Sequence, residues 1–378
     1  MPPAALAAAR AAAYDVDSDS RFPVEAFAEV KAHGLLGALV PRALGGHGAS
    51  LARVAAQCQA LAGACSASGM ILAMHNIQVA CLVRHAGDSV WLNGVLRRVA
   101  AEQLLLASAT SEVGVGGSLR TSRCAVERDG ERFTLVKQAT AISYGRHADA
   151  IMATARAHAE ASEGDQVLLV VDKDGLGLDP RGVWDAMGMR GTVTEPFVLS
   201  GSGGVGQILA TPFGAIAAQT MTPISHILWS AVWTGVAGDA VARARAFLRR
   251  NHEPGAETPS QGAYALGEAI EILQMAESRL RDAIAAFDAS GGQTPSFAEA
   301  ASYNGLKASV AEACLAATQK ALTVCGFAGY ARKGDFSVER HLRDLNSAPL
   351  MIANMRMREA AAWLLLTQAP LLGLDPEA

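Results

Sequence analysis

The sequence is poor in charged and aromatic residues and has no surplus of positive charge. Charged residues make up 18% of its 378 residues and hydrophobic residues 51%, the reverse of the balance that keeps chains disordered. Its 32 Lys and Arg residues face 36 Asp and Glu residues, for a net charge of −4, whereas a protein that holds a phosphate backbone needs a basic surface. We therefore expect a folded protein that does not bind nucleic acid.

The sequence also offers little that resembles a secretion signal, a membrane span or a metal site. Arg10 lies inside the Ala-rich N-terminal run, whereas a signal peptide carries its positive charge first. The apolar part of the longest charge-free run, 224–238, is shorter than the roughly 20 residues of a membrane helix. The six cysteines are scattered without a Cys-x-x-Cys pair, which favours buried reduced thiols. We expect a cytoplasmic protein without membrane contact and without bound metal.

Three successive segments differ in the periodicity of their apolar residues. Residues 1–103 and 214–378 repeat apolar residues at the spacing of amphipathic helices, whereas 104–213 consists of short β-rich runs separated by Gly and Asp turns. Between two such runs, Asp129-Gly130 predicts a β-hairpin. The alternation of strands and helices that builds a parallel nucleotide-binding sheet is absent. We predict a helical, a β and a second helical domain with these bounds.

Four segments combine glycine with hydroxyl or charged side chains and could carry chemistry. In TSEVGVGGS, residues 110–118, the glycines would let backbone N–H groups approach a pyrophosphate or a flavin ring, but an ordinary loop between strands would look the same. KQATAISYG, residues 137–145, places a serine and a tyrosine on a strand, and MGMRGT, residues 187–192, predicts a tight turn. VCGFAGYA and ERHLRD, within 324–344, join a glycine-broken helix end to a charged cluster.

Taken in this order, the four segments resemble the acyl-CoA dehydrogenase superfamily over nearly the whole chain. TSEVGVGGS is similar to the family pattern T-E-x-G-x-G-S, KQATAISYG to K-x-W-I-[ST]-N-G with Ala141 in place of Trp, and MGMRGT to MG-x-R-[GS]-[ST]. The closing segments are similar to G-G-x-G-Y/F and R-D. The resemblance implies an α+β fold with an N-terminal helical domain, a central β-barrel-like domain and a C-terminal four-helix bundle. It also implies FAD between the last two domains and a homodimer or homotetramer.

Matching positions transfer the family's cofactor contacts to particular residues of this chain. The resemblance implies that Thr110 and Ser111 meet the flavin ring, with Ser118 near the phosphates. It implies that Ile142 and Ser143 line the ring from the second strand. Contacts to FAD from a neighbouring subunit or from the C-terminal segment are implied for Arg250, Thr323, Gly326, Asn354 and Arg356.

The family's usual catalytic Glu has no counterpart at the matching positions. A dehydrogenase of this kind needs a general base within reach of the substrate's α-proton. The usual Glu falls eight residues after Asp344, where this chain has Ile352, and the family's other location falls on Leu228. His226 is the only titratable side chain in the charge-free stretch, and an imidazole can act as a base near neutral pH. It is the candidate catalytic base, although a lone His on an apolar helix also suits a buried core position.

Three functions fit these observations. The first is FAD-dependent dehydrogenation of an acyl thioester, of CoA or of a carrier protein, at Cα–Cβ, with an electron-transfer flavoprotein as partner. The alternative is the flavin monooxygenase branch of the fold, in which a flavin reductase supplies reduced flavin for reaction with O2; His75, His226 or His341 could serve near the ring. The third is a non-catalytic subunit of a hetero-oligomeric dehydrogenase, which would explain the missing Glu. The sequence leaves the acyl chain and the electron acceptor open.

Overall fold

The N-terminal segment folds into helices, two of which begin at serine caps. The computed structural model describes residues 1–116, 118–251 and 261–366, so Gly117 of the glycine loop and the predicted helical end 367–378 lie outside the described residues. Ser50 and Ser89 each accept a hydrogen bond from the backbone N–H three residues further on, which satisfies a donor that the helix itself leaves unpaired. The helices are α1 (Pro3–Ser18), α2 (Val24–Ala32), α3 (Leu51–Ala64), α4 (Ser66–His85) and α5 (Val90–Ala101).

Helix α4 is buried on nearly all sides. Among the described residues it is the one helix that is long and apolar enough to cross a membrane. However, 89% of its most apolar stretch is buried inside the protein. Its surroundings are therefore those of a core helix.

The central segment forms two β-sheets. The strands are β1 (Leu106–Ala109), β2 (Glu127–Asp129), β3 (Arg132–Ser143), β4 (Ala150–Arg156), β5 (Gln166–Asp172), β6 (Leu176–Pro180) and β7 (Thr194–Gly204). In one sheet β4 lies between β1, to which it is parallel, and β5, to which it is antiparallel. The other sheet is antiparallel with the order β2-β3-β7-β6. The predicted hairpin is confirmed in β2 and β3, although its turn is Gly130-Glu131, with Gly130 at φ 54°.

The C-terminal segment is built from long helices that pack on one another. After α6 (Phe213–Ile216) and a π-helical turn, Ala217–Met221, come α7 (Thr222–Arg250), α8 (Gln261–Ala289), α9 (Phe297–Tyr330), α10 (Glu339–Leu345) and α11 (Asn354–Leu366). Helix α7 packs against α3, α4, α8 and α9. The apolar pattern predicts one helix over 336–368, but the structure breaks it between α10 and α11. Pro349 lacks an N–H donor there, and Ile352 adopts φ 44°.

A continuous apolar core connects the three segments. Leu72 of α4, Met152 of β4 and Trp233 of α7 are fully buried members of the same cluster. Apolar area removed from water stabilises a fold by roughly 25 cal/mol per Å², so burial that is shared in this way holds the β-sheets against both groups of helices. The site described below lies at this junction.

The close approach of α3 and α7 depends on Gly235. A Cβ atom at this position would lie 2.0 Å from the carbonyl oxygen of Gln59, so Gly235→Ala must push two helix backbones apart. We expect this variant to lose about 1–3 kcal/mol of unfolding free energy, the usual cost of overpacking. Gly238→Ala is the control on the same helix, because its Cβ would meet only Leu273 Cδ2, at 4.0 Å. Urea unfolding measures both changes, and equal changes would contradict the close packing.

Candidate functional site

A cavity of about 360 Å³ lies where the β-sheets meet α4 and the first turns of α7. This volume is near the lower end of the range for small-molecule sites. Among the described residues, no Asp, Glu, Lys or Arg lines the cavity. Its apolar lining includes Met70, Met74, Met189, Met221, Met351, Ile352, Trp184 and Trp229. Its polar lining includes Gln78, Ser108, Thr110, Ser111, Ser143, Thr192, Thr194, Thr222, Ser225 and His226.

Helix α7 turns one face towards the cavity. Thr222, Ser225, His226 and Trp229 line it, and their spacing of three and four residues is that of one helix face. Leu228 does not line the cavity, because it lies off this face and is fully buried in the core. Leu228, which the sequence matches to the family's second base location, therefore does not reach this cavity. Of the α7 residues that line the cavity, His226 carries the titratable side chain.

His226 is held in one orientation and one neutral form. Its Nδ1 lies 3.0 Å from the carbonyl oxygen of Tyr303, and because a carbonyl only accepts, Nδ1 carries the proton and donates. Nε2 then has a free lone pair, and it has no hydrogen-bond partner within the described residues. Burial lowers the pKa of His226 to about 4, and the charge of Lys307 also lowers it, against the opposing effect of the Tyr303 hydrogen bond. The imidazole is therefore neutral at pH 7.

The two other histidines considered from the sequence do not line the cavity. His75 is fully buried, and its ring is bonded on both sides, with Nε2 2.8 Å from Leu36 O and Nδ1 accepting from Leu106 N–H at 3.0 Å. His341 Nε2 lies 2.9 Å from Asp239 Oδ2, in a buried hydrogen bond between α10 and α7. Burial lowers the pKa of each imidazole to about 4. Both rings serve packing and hydrogen bonding within the fold.

The loop after β1 brings its first two hydroxyl residues to the cavity and leaves the third outside. Thr110 and Ser111 line it, and Ser111 Oγ also bridges the Ala141 backbone, donating to its carbonyl at 3.0 Å and accepting from its N–H at 3.2 Å. Ser118 is not among the lining residues, and its Oγ accepts from Arg120 N–H at 3.1 Å. The contact between Ser118 and the cofactor phosphates therefore stays a prediction.

A buried ion pair fixes the loop that carries these hydroxyls. Lys137 Nζ lies 3.1 Å from Glu112 Oε2, and both side chains are almost completely buried. Glu112 also accepts hydrogen bonds from Ser122 Oγ and from the backbone N–H groups of Arg123 and Cys124, at 2.7–3.0 Å. Burial alone would raise the pKa of Glu112, but the charge of Lys137 and these hydrogen bonds hold it below its ordinary value. The loop is therefore anchored by an ionised carboxylate.

The end of β3 contributes Ser143 to the cavity but not Ile142. Successive side chains of a strand point to opposite faces, and Ile142 is fully buried in the core. The side chain of Ile142 therefore does not reach the cavity, and its implied contact with the ring stays a prediction. Ser143 Oγ lies 2.8 Å from Thr194 Oγ1, which lies 2.8 Å from Thr192 Oγ1. These three hydroxyls form a continuous row along one wall.

Helix α9 holds the wall that contains Ile352. The buried ammonium of Lys307 donates to Ala348 O at 3.0 Å, to Ile352 O at 3.2 Å and to Asn354 Oδ1 at 2.8 Å. Burial lowers the pKa of Lys307 to about 8. Asn354 thus stabilises the turn before α11 and does not line the cavity. Ile352 does line the cavity. It is the residue that the resemblance matches to the family's usual Glu, and its side chain has no group that can take a proton.

The remaining residues implied by the resemblance lie away from this cavity. Arg250 is exposed at the end of α7, with its guanidinium 5.5 Å from the centre of the Phe336 ring. Thr323 is exposed on α9, and Gly326 breaks the helical backbone there at φ 55°. Their implied contacts need a neighbouring subunit and stay predictions. Arg356 donates to the carbonyl oxygen of Gly116 at 2.7 Å and so touches the glycine loop.

Sequence reasoning missed several residues of the site. Gln78 of α4 and Trp229 of α7 line the cavity, and each carries a buried polar atom, Oε1 and Nε1, without a hydrogen-bond partner within the described residues. Tyr144, Met189 and Ile352 line it with φ between 44° and 52°, a conformation that is strained for such residues and is concentrated at functional sites. Met70, Met74, Ile77 and Gln78 share one face of α4, but because this helix is buried on nearly all sides its apolar pattern does not single out that face.

Comparison with known proteins gives a consistent family. The model of the N-terminal domain of acyl-CoA dehydrogenases matches residues 4–103. A cyclohex-1-ene-1-carbonyl-CoA dehydrogenase from Geobacter metallireducens is 25% identical over 344 residues, which cover 88% of this chain and 87% of that protein. These matches support the family that the sequence motifs predict.

Solved structures of similar fold include proteins with other names. KijD3 in complex with dTDP has a TM-score of 0.84 at 22% identity, over 97% of this chain and 95% of that chain. The dibenzothiophene monooxygenase TdsC from Paenibacillus sp. A11-2 has a TM-score of 0.77 at 21% identity, over 97% and 98% of the two chains, and it has also been solved with FMN bound. At these identities the likeness shows the fold, and it confirms the predicted fold class.

Proposed function

The chain is a divergent member of the acyl-CoA dehydrogenase superfamily, and from this premise we propose that it is a flavin-dependent oxidoreductase that dehydrogenates a compact acyl thioester at Cα–Cβ. One observation carries the proposal: His226 presents an unprotonated Nε2 at the wall of a cavity whose described lining contains no carboxylate. His226 can therefore accept the substrate's α-proton. The curated relative named above is a dehydrogenase of a cyclic acyl-CoA.

The lining of the cavity fits a flavin ring. Thr110, Ser111 and Ser143 bring hydroxyls to an otherwise apolar space, which suits a planar ring with polar edges. Gln78 and Trp229 contribute buried polar atoms that lack partners, and such atoms normally have one. When bound, the flavin would accept the hydride from the substrate's β-carbon. We propose FAD, with Arg250 of a neighbouring copy contacting its phosphates, because this guanidinium is exposed at the end of α7.

His226 has the properties of a proton acceptor of carboxylate strength. With a pKa of about 4 it is as weak a base as a free Glu side chain, whose ordinary pKa is about 4.3. The imidazole is therefore neutral at pH 7, with Nε2 ready to accept a proton, as the family's usual carboxylate is. The Tyr303 carbonyl fixes the ring, so that Nε2 needs no reorientation to take the α-proton.

The cavity suits a compact acyl group rather than a long chain. Met70 and Met74 of α4 line it together with Met189, Met221 and Met351 from other parts of the chain. Methionine side chains adapt to irregular shapes and contact rings favourably. A volume of about 360 Å³ leaves little room for a long chain beside a flavin. We propose a ring-bearing acyl group on CoA or on a carrier protein. We also propose an electron-transfer flavoprotein as acceptor, a homodimer or homotetramer, and a cytoplasmic location.

A flavin monooxygenase is the second candidate, and one observation favours it. The described lining contains no carboxylate, so the family's usual base for α-proton removal is missing. In this function the cavity would bind reduced flavin from a partner reductase together with an organic substrate. With two electrons from the reduced flavin, one oxygen atom of O2 would enter the substrate and the other would leave as water. His226 would then accept a hydrogen bond from the bound substrate rather than a proton from its carbon.

Anaerobic mixing of the purified, oxidised holoprotein with cyclic and linear acyl-CoAs separates these functions. We expect a cyclic acyl-CoA to bleach the flavin absorbance, and denaturation to release FAD. No bleaching by any acyl-CoA, followed by substrate-dependent O2 consumption after chemical reduction, would replace the first function by the second. A protein that takes up no flavin on reconstitution would contradict both and leave the non-catalytic subunit.

A further inference from the structure

The row of hydroxyls along one wall of the cavity has a definite end. Thr192 Oγ1 lies 2.8 Å from the carbonyl oxygen of Met189, and Trp184 Nε1 donates to the same oxygen at 3.2 Å. From Thr192 the row continues to Thr194 and then to Ser143, with 2.8 Å at each step. The carbonyl end is buried, since Met189 and Thr192 are 4% and 3% exposed. Ser143 is the open end of the row at the cavity.

Each hydroxyl has one proton to donate, and this fixes the direction of the hydrogen bonds along the row. The Met189 carbonyl can only accept, so the Thr192 hydroxyl must donate its single proton to it. Thr192 can then only accept from Thr194, whose proton is used in that bond. Thr194 in turn can only accept from Ser143. All three protons point away from the cavity, and Ser143 is left with lone pairs alone for a bound ligand.

We propose that the row Ser143–Thr194–Thr192 makes Ser143 an obligate hydrogen-bond acceptor and that the site therefore binds reduced flavin more tightly than oxidised flavin. Two-electron reduction turns the ring nitrogen N5 from a lone-pair acceptor into an N–H donor. The proposal places N5 against Ser143, which lines the cavity; an obligate acceptor there pairs with that N–H and opposes the lone pair of the oxidised ring. The inference rests on the proposed flavin site, and it adds a preference for one redox state.

The preference is measured as the midpoint potential of the flavin bound to the holoprotein, relative to free flavin. We expect the reduced form to bind at least about tenfold more tightly, which raises the two-electron potential by about 30 mV. Thr192→Val removes the hydroxyl that fixes the direction and lets Ser143 donate to the cavity. Its preference should fall about five- to tenfold, the size of one hydrogen bond. Thr192→Ser keeps the hydroxyl and should retain the preference of the unmodified protein.

A second variant covers the case in which Thr192→Val does not fold. Ser143→Ala removes the acceptor itself and should lower the preference by the same factor. Equal binding of both redox states by the unmodified protein, or an unchanged potential in either variant, would overturn the redox preference while leaving flavin binding intact. A protein that binds no flavin would overturn the proposed function together with this inference.

Discussion

Replacing His226 by Gln or Ala slows flavin reduction by an acyl thioester about 10²–10⁴-fold, the range expected for loss of a general base. Flavin remains bound, because the ring's hydroxyl contacts come from the β section. Gln retains polarity at the site but cannot take a proton. Anaerobic stopped-flow absorbance measures the rate, and His158→Gln is the control, since that imidazole is exposed far from the cavity. Unchanged reduction in both His226 variants would remove His226 from the reaction.

The pH profile of the same rate carries independent information. Only neutral imidazole accepts a proton, so the rate falls as the pH drops through the pKa of His226, which burial lowers to about 4. We expect a flat profile from pH 6 to 8 for this step. An imidazole with its ordinary pKa of about 6.5 would halve the rate near that pH. A midpoint between pH 6 and 7 would show that water reaches His226.

The variant Ile352→Glu distinguishes a dehydrogenase from a flavin monooxygenase. Ile352 lines the cavity where the family's carboxylate is usual. If the pocket holds a thioester, the new carboxylate raises flavin reduction or restores it in the His226→Gln background. A variant that stays inert towards every acyl-CoA, together with unchanged rates in His226→Ala, would favour the monooxygenase.

Lys137→Met lowers the free energy of unfolding by about 3–5 kcal/mol, because it leaves the buried Glu112 carboxylate without its counter-charge. Urea unfolding at pH 7 measures the loss. Lys173→Met is the matched control: its ammonium is 68% exposed and pairs with Asp149, so its loss should be at most about 1 kcal/mol. Equal losses in the two variants would contradict the buried pair.

The same pair predicts how stability responds to acid. The pKa of Glu112 is lower in the folded protein than its ordinary value of 4.5, so its contribution is complete above that value and is lost as the pH falls through the folded pKa. The double variant Glu112→Gln, Lys137→Met lacks this component. We expect its stability to fall less between pH 5 and 3 than that of the unmodified protein, and an equally steep fall would contradict the assignment.

Local motifs predicted the parts of the site that lie within one element. The glycine segment after β1 located Thr110 and Ser111, and the charge-free run on α7 located His226. Strand alternation explains why Ile142 and Ser143 cannot both turn their side chains to one cavity. Helix periodicity likewise places Leu228 and His226 on different faces of α7.

Other parts of the site depend on contacts between distant elements, which motifs do not contain. Gln78 lies on a helix that is buried on nearly all sides, so no single face marks it. The direction of the Ser143 hydroxyl follows from Met189, which is far away in sequence. The position of Ile352 depends on Lys307, which holds its turn from another helix. Composition and periodicity cannot predict such pairings.

Hydrogen exchange at the substrate's α-carbon tests the proposed role of His226 most directly. An acyl-CoA with sulfur in place of the β-carbon keeps acidic α-hydrogens but has no β-hydride to lose, so only proton abstraction is observed. In D2O, mass spectrometry should show deuterium entering this ligand in the presence of the holoprotein, at least about a hundredfold faster than with His226→Gln. Exchange at the same rate in both proteins, or none in either, would contradict proton abstraction by His226.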